Sequence, residues 1–256
     1  MPSEIARDYF EFIAKLGMTK HYGSMEATRE LAELCHIGSG HYVLDVGCGV
    51  GATPVYLAKT AGCRVVGVDL LERMIEQSRE RARMAGVLDH VEFTVADARR
   101  LPFEDDLFDA VLTESVNVFF DAKPEAMSEY VRVTRPGGYV GTTEMTWLRP
   151  PTPEAVEYYK RVAYIEALEA DGWIELLEQA GLKEVVGTAH LVDIPAESKG
   201  RFERYGCWGI AKVMLNTLAL VMKDRGSRKY LSDGTRGVAQ GLLEITGYGV
   251  YAGRKG

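Results

Sequence analysis

The chain is 256 residues long, with 46% hydrophobic and 26% charged residues. These values lie close to globular averages, so disordered and fibrous classes are excluded and the length fits one elaborated α/β domain or two small ones. Thirty Lys and Arg against 37 Asp and Glu leave a net charge of −7, which repels polyanions and argues against nucleic acid as a partner.

Cys35, Cys48, Cys63 and Cys207 form no C-x-x-C pair and have no zinc-like companion histidines. They read as free thiols of a reducing, cytoplasmic compartment, with no metal site. The N-terminus, MPSEIARDYFEFIAKLG, mixes acids among its apolar residues and does not read as a signal peptide. Ile5, Tyr9, Phe12, Ile13 and Leu16 recur at helical spacing up to Gly17, and a second helix starts at Ser24, so residues 1–40 read as an N-terminal helical cap. From His41 short β-rich runs alternate with helix-length segments, the pattern of a parallel sheet covered on both faces. Strands are predicted over Tyr42 to Val46, Arg64 to Asp69, Val91 to Ala96, Phe108 to Thr113 and Gly138 to Glu144.

Pro150, Pro151 and Pro153 then break the chain. Helices from Glu154 and over Trp173 to Ala180 precede a strand at Glu184 to Ile194, and the last strand is expected at Ile245 to Ala252. Between these two strands residues 195–243 read as a helical insertion or lid. Its most apolar part, Ile210 to Met222, is interrupted by Lys212 and Asn216 and is shorter than the roughly 18 to 20 residues of a membrane span. With no internal repeat and no long linker, residues 1–256 read as one domain with helical additions.

Val43-Leu44-Asp45-Val46 runs into Gly47-Cys48-Gly49-Val50-Gly51, an apolar strand entering a glycine-rich turn with a helix starting near Ala52. Glycines permit positive φ there and let backbone N–H groups approach a ligand. A dinucleotide is one candidate, because Gly47, Gly49 and Ala52 also satisfy G-x-G-x-x-G/A and Asp69 follows Gly49 by 20 residues. Asp45 argues for a different ligand: a carboxylate two residues before the first glycine repels a pyrophosphate but suits a cationic sulfonium and ammonium. Asp69 stands where a carboxylate can accept both ribose hydroxyls of either ligand. Asp97 ends the third strand, where its side chain and the next backbone N–H can address an adenine edge, or where it can simply cap a helix.

VLDVGCGVGAT, VVGVDL, VEFTVADARRLPFEDDLFDAV and VTRPGGYVGTTE resemble, in order and spacing, successive motifs of class I S-adenosylmethionine-dependent methyltransferases. The resemblance covers roughly residues 20 to 145, and its nearest general type is the small-molecule group similar to quinone-biosynthesis C-methyltransferases. It implies a doubly wound α/β fold with a seven-stranded, mostly parallel sheet of order 3-2-1-4-5-7-6, strand 7 antiparallel. It also implies S-adenosylmethionine as cofactor and S-adenosylhomocysteine as product. The loop Gly47, Cys48 and Gly49 would meet the methionyl end, Asp69 the ribose, Leu70 the adenine face, and Asp97 with Ala98 the adenine edge. Glu114 and Ser115 would border cofactor and acceptor. The HYGS at His21 to Ser24 is similar to a loop that closes over the cofactor, which adds Tyr22 and Gly23.

Methyl transfer from a sulfonium is an in-line displacement that depends mainly on alignment and desolvation. A base that takes the proton of a phenol, quinol carbon or amine adds roughly 10²- to 10⁴-fold. His21 is the first candidate, and Glu114 and Glu144, both near strand ends, could orient or deprotonate an acceptor. Residues 201–229 mix Phe202, Tyr205, Trp208, Met214 and Leu218 with basic residues ending in Lys223 to Lys229. They read as an apolar lid with a peripheral membrane contact, or as a packing helix or homodimer contact. Thr113-Glu114-Ser115-Val116-Asn117 does not resemble the N/D-P-P-Y motif of nucleic-acid N-methyltransferases, and the expected acceptor is a small molecule.

Overall fold

The computed structural model describes residues 4–17, 19, 21–223 and 242–256. Among the described residues eight strands form one sheet: β1 Tyr42–Val46, β2 Arg64–Asp69, β3 Val91–Val95, β4 Phe108–Glu114, β5 Thr134–Trp147, β6 Leu168–Glu169, β7 Lys183–Leu191 and β8 Thr246–Arg254. Their order is β3-β2-β1-β4-β5-β8-β7, with the two-residue β6 paired to the end of β5. β1 to β5 are parallel neighbours, whereas β8 runs antiparallel between β5 and β7. Without the small β6, this is the strand order that the motifs implied.

Each strand sends alternate side chains to opposite faces, so one sheet builds two cores. Val43, Val65, Ala110 and Leu112 pack with α2 (Ser24–Leu34), α3 (Ala52–Thr60) and α4 (Glu72–Ala85). Leu44, Val66, Val111 and Val140 pack on the other face with α5 (Lys123–Val133), α6 (Pro153–Ala163) and α7 (Ala170–Gln179). The largest fully buried side chains, Trp173, Tyr130, Tyr251 and Phe108, all lie in this second core. A third cluster joins Phe12, Ile13 and Leu16 of α1 (Glu4–Leu16) to Val50, Leu71 and Met74, which places α1 over the C-terminal edge of the sheet.

Several boundaries differ from expectation, among them α7, which begins at Ala170 rather than Trp173, and β7, which ends at Leu191 rather than Ile194. β5 begins four residues before Gly138, because Thr134 pairs Phe108 ahead of a register shift that absorbs Pro136 and Gly137 before Tyr139 meets Ala110. α6 starts at Pro153 rather than Glu154: Thr152 is its N-cap and accepts the Ala155 N–H, and proline suits the first turn. The long helix expected between the last two strands is α8, Ile194–Lys223, interrupted at Gly206 (φ 63°, ψ 175°). The rest of that expected insertion, residues 224–241, lies outside the described residues. Among the described residues no helix is long and apolar enough to cross a membrane.

Candidate active site

The C-terminal ends of β1, β2 and β4 converge on a cavity with about 1210 Å³ of empty space, its open mouth included. Gly47 and Gly49 form its floor with φ of 74° and 55°. A Cβ at Gly47 would collide with Val116 Cγ2, and one at Gly49 with Thr19 Cγ2. Both the backbone angle and the close approach therefore require glycine. The Gly47 and Cys48 N–H groups donate to Val68 O at 2.8 and 2.9 Å, folding the turn against β2.

The residues predicted for the adenosine end sit together on this wall. Asp69 Oδ2 accepts the Gly49 N–H and Oδ1 the Leu71 N–H, both at 3.0 Å. The strand-end carboxylate is thereby locked to the glycine turn, and burial pushes it up from the ordinary carboxylate range. Each oxygen keeps a second lone pair for a hydroxyl. Asp97 is held by Arg99 at both oxygens, 3.0 Å from Nε and 2.6 Å from Nη2, and the Arg99 hydrogen bonds keep its carboxyl low. Asp45, Cys48, Leu70 and Ala98 also line the cavity. Asp45 is 2% exposed, and burial, reinforced by Asp69 and Asp45, pushes the Cys48 thiol well up.

A second polar group faces this wall from the end of β4. Glu114 accepts Thr28 Oγ1 at 2.7 Å and is also bonded by Thr53 Oγ1. His21 Nε2 lies 3.3 Å from Glu114 Oε2 and 3.0 Å from Ser24 O. Both neighbours of Nε2 are acceptors, so a neutral ring carries its proton on Nε2. The two side chains are buried, 5% and 7% exposed, in a position where electrostatic orientation is effective. Ser115 follows with φ 58° and is nine-tenths buried on the same cavity.

Three predicted residues, Glu144, Tyr22 and Gly23, stand elsewhere. Glu144 is absent from the cavity lining. It is fully buried beneath the turn after β4 and accepts the Asn117 N–H at 2.9 Å, the Asn117 side-chain amide at 2.9 Å and Thr142 Oγ1 at 2.9 Å. Longer bonds at 3.3 Å come from the Val116 and Val118 N–H groups. Its oxygens brace the cavity wall rather than meet an acceptor, and burial raises its carboxyl to about 7 against the pull of those donors. Tyr22 packs against the core on the α5–α7 side instead of lining the cavity.

The expected lid also differs. The residues of α8 do not line the cavity among the described residues. The helix instead buttresses the segment that does: Tyr205 Oη accepts the Thr19 N–H at 2.8 Å, Glu197 Oε1 accepts the Gly23 N–H at 2.6 Å, and Asn216 Nδ2 donates to Leu16 O at 3.2 Å. Met214, Leu215, Leu218 and Met222 of α8 are exposed, and residues 224–229 of the basic stretch lie outside the described residues. The cover is α1, through Phe10 and Ile13, joined by Phe119 and Phe120 after β4. Periodicity identified α1 as a helix but gave no sign of where it docks, so these apolar lining residues were missed.

Residues 44–141 match the family model described as a methyltransferase domain. Methyltransferase GfsG of Streptomyces halstedii is 35% identical over 60% of this chain and 57% of its own length. Phosphoethanolamine N-methyltransferase 3 of Arabidopsis thaliana is 31% identical over 64% of this chain and 33% of its own length. The chain thus spans between a third and just over half of these two relatives. Among solved structures, the [4+2]-cyclase SpnF superposes with a TM-score of 0.77 at 18% identity, covering 100% of this chain and 96% of that one. The fold is of the Rossmann-like α/β class, and residues 44–141, which carry the glycine turn and the strand-end acids, resemble a methyltransferase domain. S-adenosylmethionine fits the residues present: a floor that a Cβ would fill, a strand-end carboxylate at Asp69 and the carboxylate of Asp45 beside the turn.

Proposed function

We propose that the chain catalyses methyl transfer to a small acceptor with an apolar body, with His21 taking the acceptor's proton and Glu114 holding His21 in register. The observation that carries this reading is the buried His21–Glu114 pair at 3.3 Å, on the same cavity as Gly47, Gly49 and Asp69. When bound, S-adenosylmethionine supplies a methyl group on a sulfonium sulfur, whose C–S bond breaks as the acceptor's bond to that carbon forms, releasing S-adenosylhomocysteine. The chain's residues provide everything else. Asp69 anchors the ribose, Asp97 with Ala98 addresses the adenine edge, and Asp45 offsets positive charge beside the turn.

His21 accepts the proton, and the Glu114 carboxylate steadies the imidazolium that results. Phe10, Ile13, Phe119 and Phe120 exclude water and give the acceptor an apolar seat. A phenol, an amine or a quinol carbon, as in the quinone-biosynthesis C-methyltransferases that the motifs resemble, falls within this acceptor class. Release of S-adenosylhomocysteine in a screen of such acceptors tests the proposal. The wild-type chain turns over and His21→Ala binds cofactor normally but turns over at least about a hundredfold more slowly. Unchanged turnover in that variant removes His21 as the base.

A further inference from the structure

One face of α8 takes no part in the cavity. Ala211, Met214, Leu215, Leu218, Ala219 and Met222 are all exposed, the four larger side chains by 58 to 70%. Their alternating spacing of three residues and one keeps them on one side of the helix, in a stripe about 140° wide. Asn216 stands on the other side and donates to Leu16 O at 3.2 Å, which fixes the side that faces the protein. The stripe therefore points into solvent while its back braces the end of α1, whose Phe10 and Ile13 cover the cavity. A contiguous apolar stripe held out in water marks a surface that meets a partner.

Charge indicates the partner. Residues 201–229 hold seven Lys and Arg against two Asp and Glu, in a chain whose net charge is −7. No acid occurs between Arg204 and Lys223, and Lys223, Arg225, Arg228 and Lys229 directly follow the stripe in sequence; residues 224–229 lie outside the described residues. A second copy laid along the stripe in either direction would bring cations to cations, with no carboxylate from that stretch to offset them. The stripe is also broader than the narrow seam that pairs one helix with another. An anionic bilayer surface matches both features, because it seats an apolar helix face among its headgroups and attracts a basic flank.

We propose that the outward face of α8 docks on an anionic lipid surface, with Met214, Leu215 and Leu218 seated at the boundary of headgroups and acyl chains and the basic residues from Lys223 onward drawn to the lipid charge. Docking needs neither cofactor nor acceptor and stands apart from the methyl-transfer reading. Tyr205 and Asn216 of the same helix hold Thr19 and Leu16, so the helix that meets the lipid is also the one that braces the cover of the cavity.

The test is co-sedimentation of the full chain with vesicles of phosphatidylcholine alone and of phosphatidylcholine with roughly one-third phosphatidylglycerol, at about 0.1 M salt. Partition into the anionic vesicles is expected to be at least about tenfold the stronger, and to fall as added salt screens the basic flank. Leu215→Ser and Leu218→Ser change exposed side chains, so the circular dichroism of wild type should persist. Together they are expected to cut partition about tenfold or more, and either alone about threefold; the single variants serve if the pair disturbs the fold. No partition into anionic vesicles, or partition that the folded variants leave unchanged, overturns the docking surface. Equal partition into both kinds of vesicle removes the role of charge and overturns the choice of an anionic lipid. Sedimentation equilibrium without lipid is expected to show the same monomer for wild type and variants. A wild-type dimer that the double variant dissolves would assign the face to a second copy and overturn the proposal.

Discussion

The two walls of the cavity are built in different ways. The wall proposed for adenosine comes from consecutive strand ends and the turns that follow them: Gly47 and Gly49 after β1, Asp69 and Leu70 at β2, Asp97 and Ala98 just beyond β3. The acceptor wall is assembled from α1, the loop carrying His21, the end of β4 and the following turn, with Thr28 and Thr53 of two different helices steadying Glu114. A wall made of local motifs binds one invariant ligand, whereas a wall made of distant side chains can change its acceptor without disturbing the sheet.

The largest expected effect lies on the acceptor wall: His21→Ala lowers turnover by about 10²-fold or more, read as S-adenosylhomocysteine released per chain. If the division between walls holds, its affinity for S-adenosylhomocysteine stays near wild type. Asp69→Ala breaks the comparison from the other side. It removes the proposed ribose acceptor and the brace on the Gly49 and Leu71 N–H groups, and is expected to weaken S-adenosylhomocysteine binding about a hundredfold, equivalent to about 2.7 kcal/mol. Circular dichroism should show an intact fold. Unchanged affinity in a folded variant would take Asp69 out of the site.

Glu144 sharpens the comparison, because it underlies the acceptor wall without touching the cavity. Its folded carboxyl titrates near 7, above the ordinary 4.5, with burial as the largest cause. The folded chain then holds a proton that the unfolded chain has released, so this stabilising contribution is complete below about pH 4.5 and is lost as pH rises through about 7. It is worth on the order of 3 kcal/mol. Glu144→Gln should flatten urea-unfolding stability across that window, and a slope identical to wild type would contradict the assignment. The smallest effect is expected from Tyr205→Phe, which removes the acceptor of the Thr19 N–H. A loss of about 1 kcal/mol in thermal unfolding, with little change in cofactor affinity, fits a buttress standing behind the cover.

The same contrast explains what could be read before the fold was known. Gly47, Gly49, Asp69 and Asp97 are legible because a strand, a turn and a strand-end acid are contiguous in sequence, and parallel pairing brings successive strand ends to one edge. Glu144 was read by the same logic as Asp69, yet Glu114 pairs with Thr143 in the β4–β5 register. Glu144 therefore lies one residue further on, under the turn that runs from Ser115, and is consumed by that turn's N–H groups. Phe10 and Ile13 show another limit: an amphipathic pattern reveals that a face is buried, not which surface buries it. The small β6 at Leu168–Glu169 is too short for strand periodicity to register, since its pairing with Thr146 and Trp147 is purely tertiary.

The most direct test of the account is calorimetric titration of the full chain with S-adenosylhomocysteine and, separately, with NADH. The glycine turn, with Asp45 buried beside it and Asp69 locked to Gly49, predicts micromolar binding of S-adenosylhomocysteine and none of NADH. Binding of NADH alone would contradict it and return the turn to a dinucleotide.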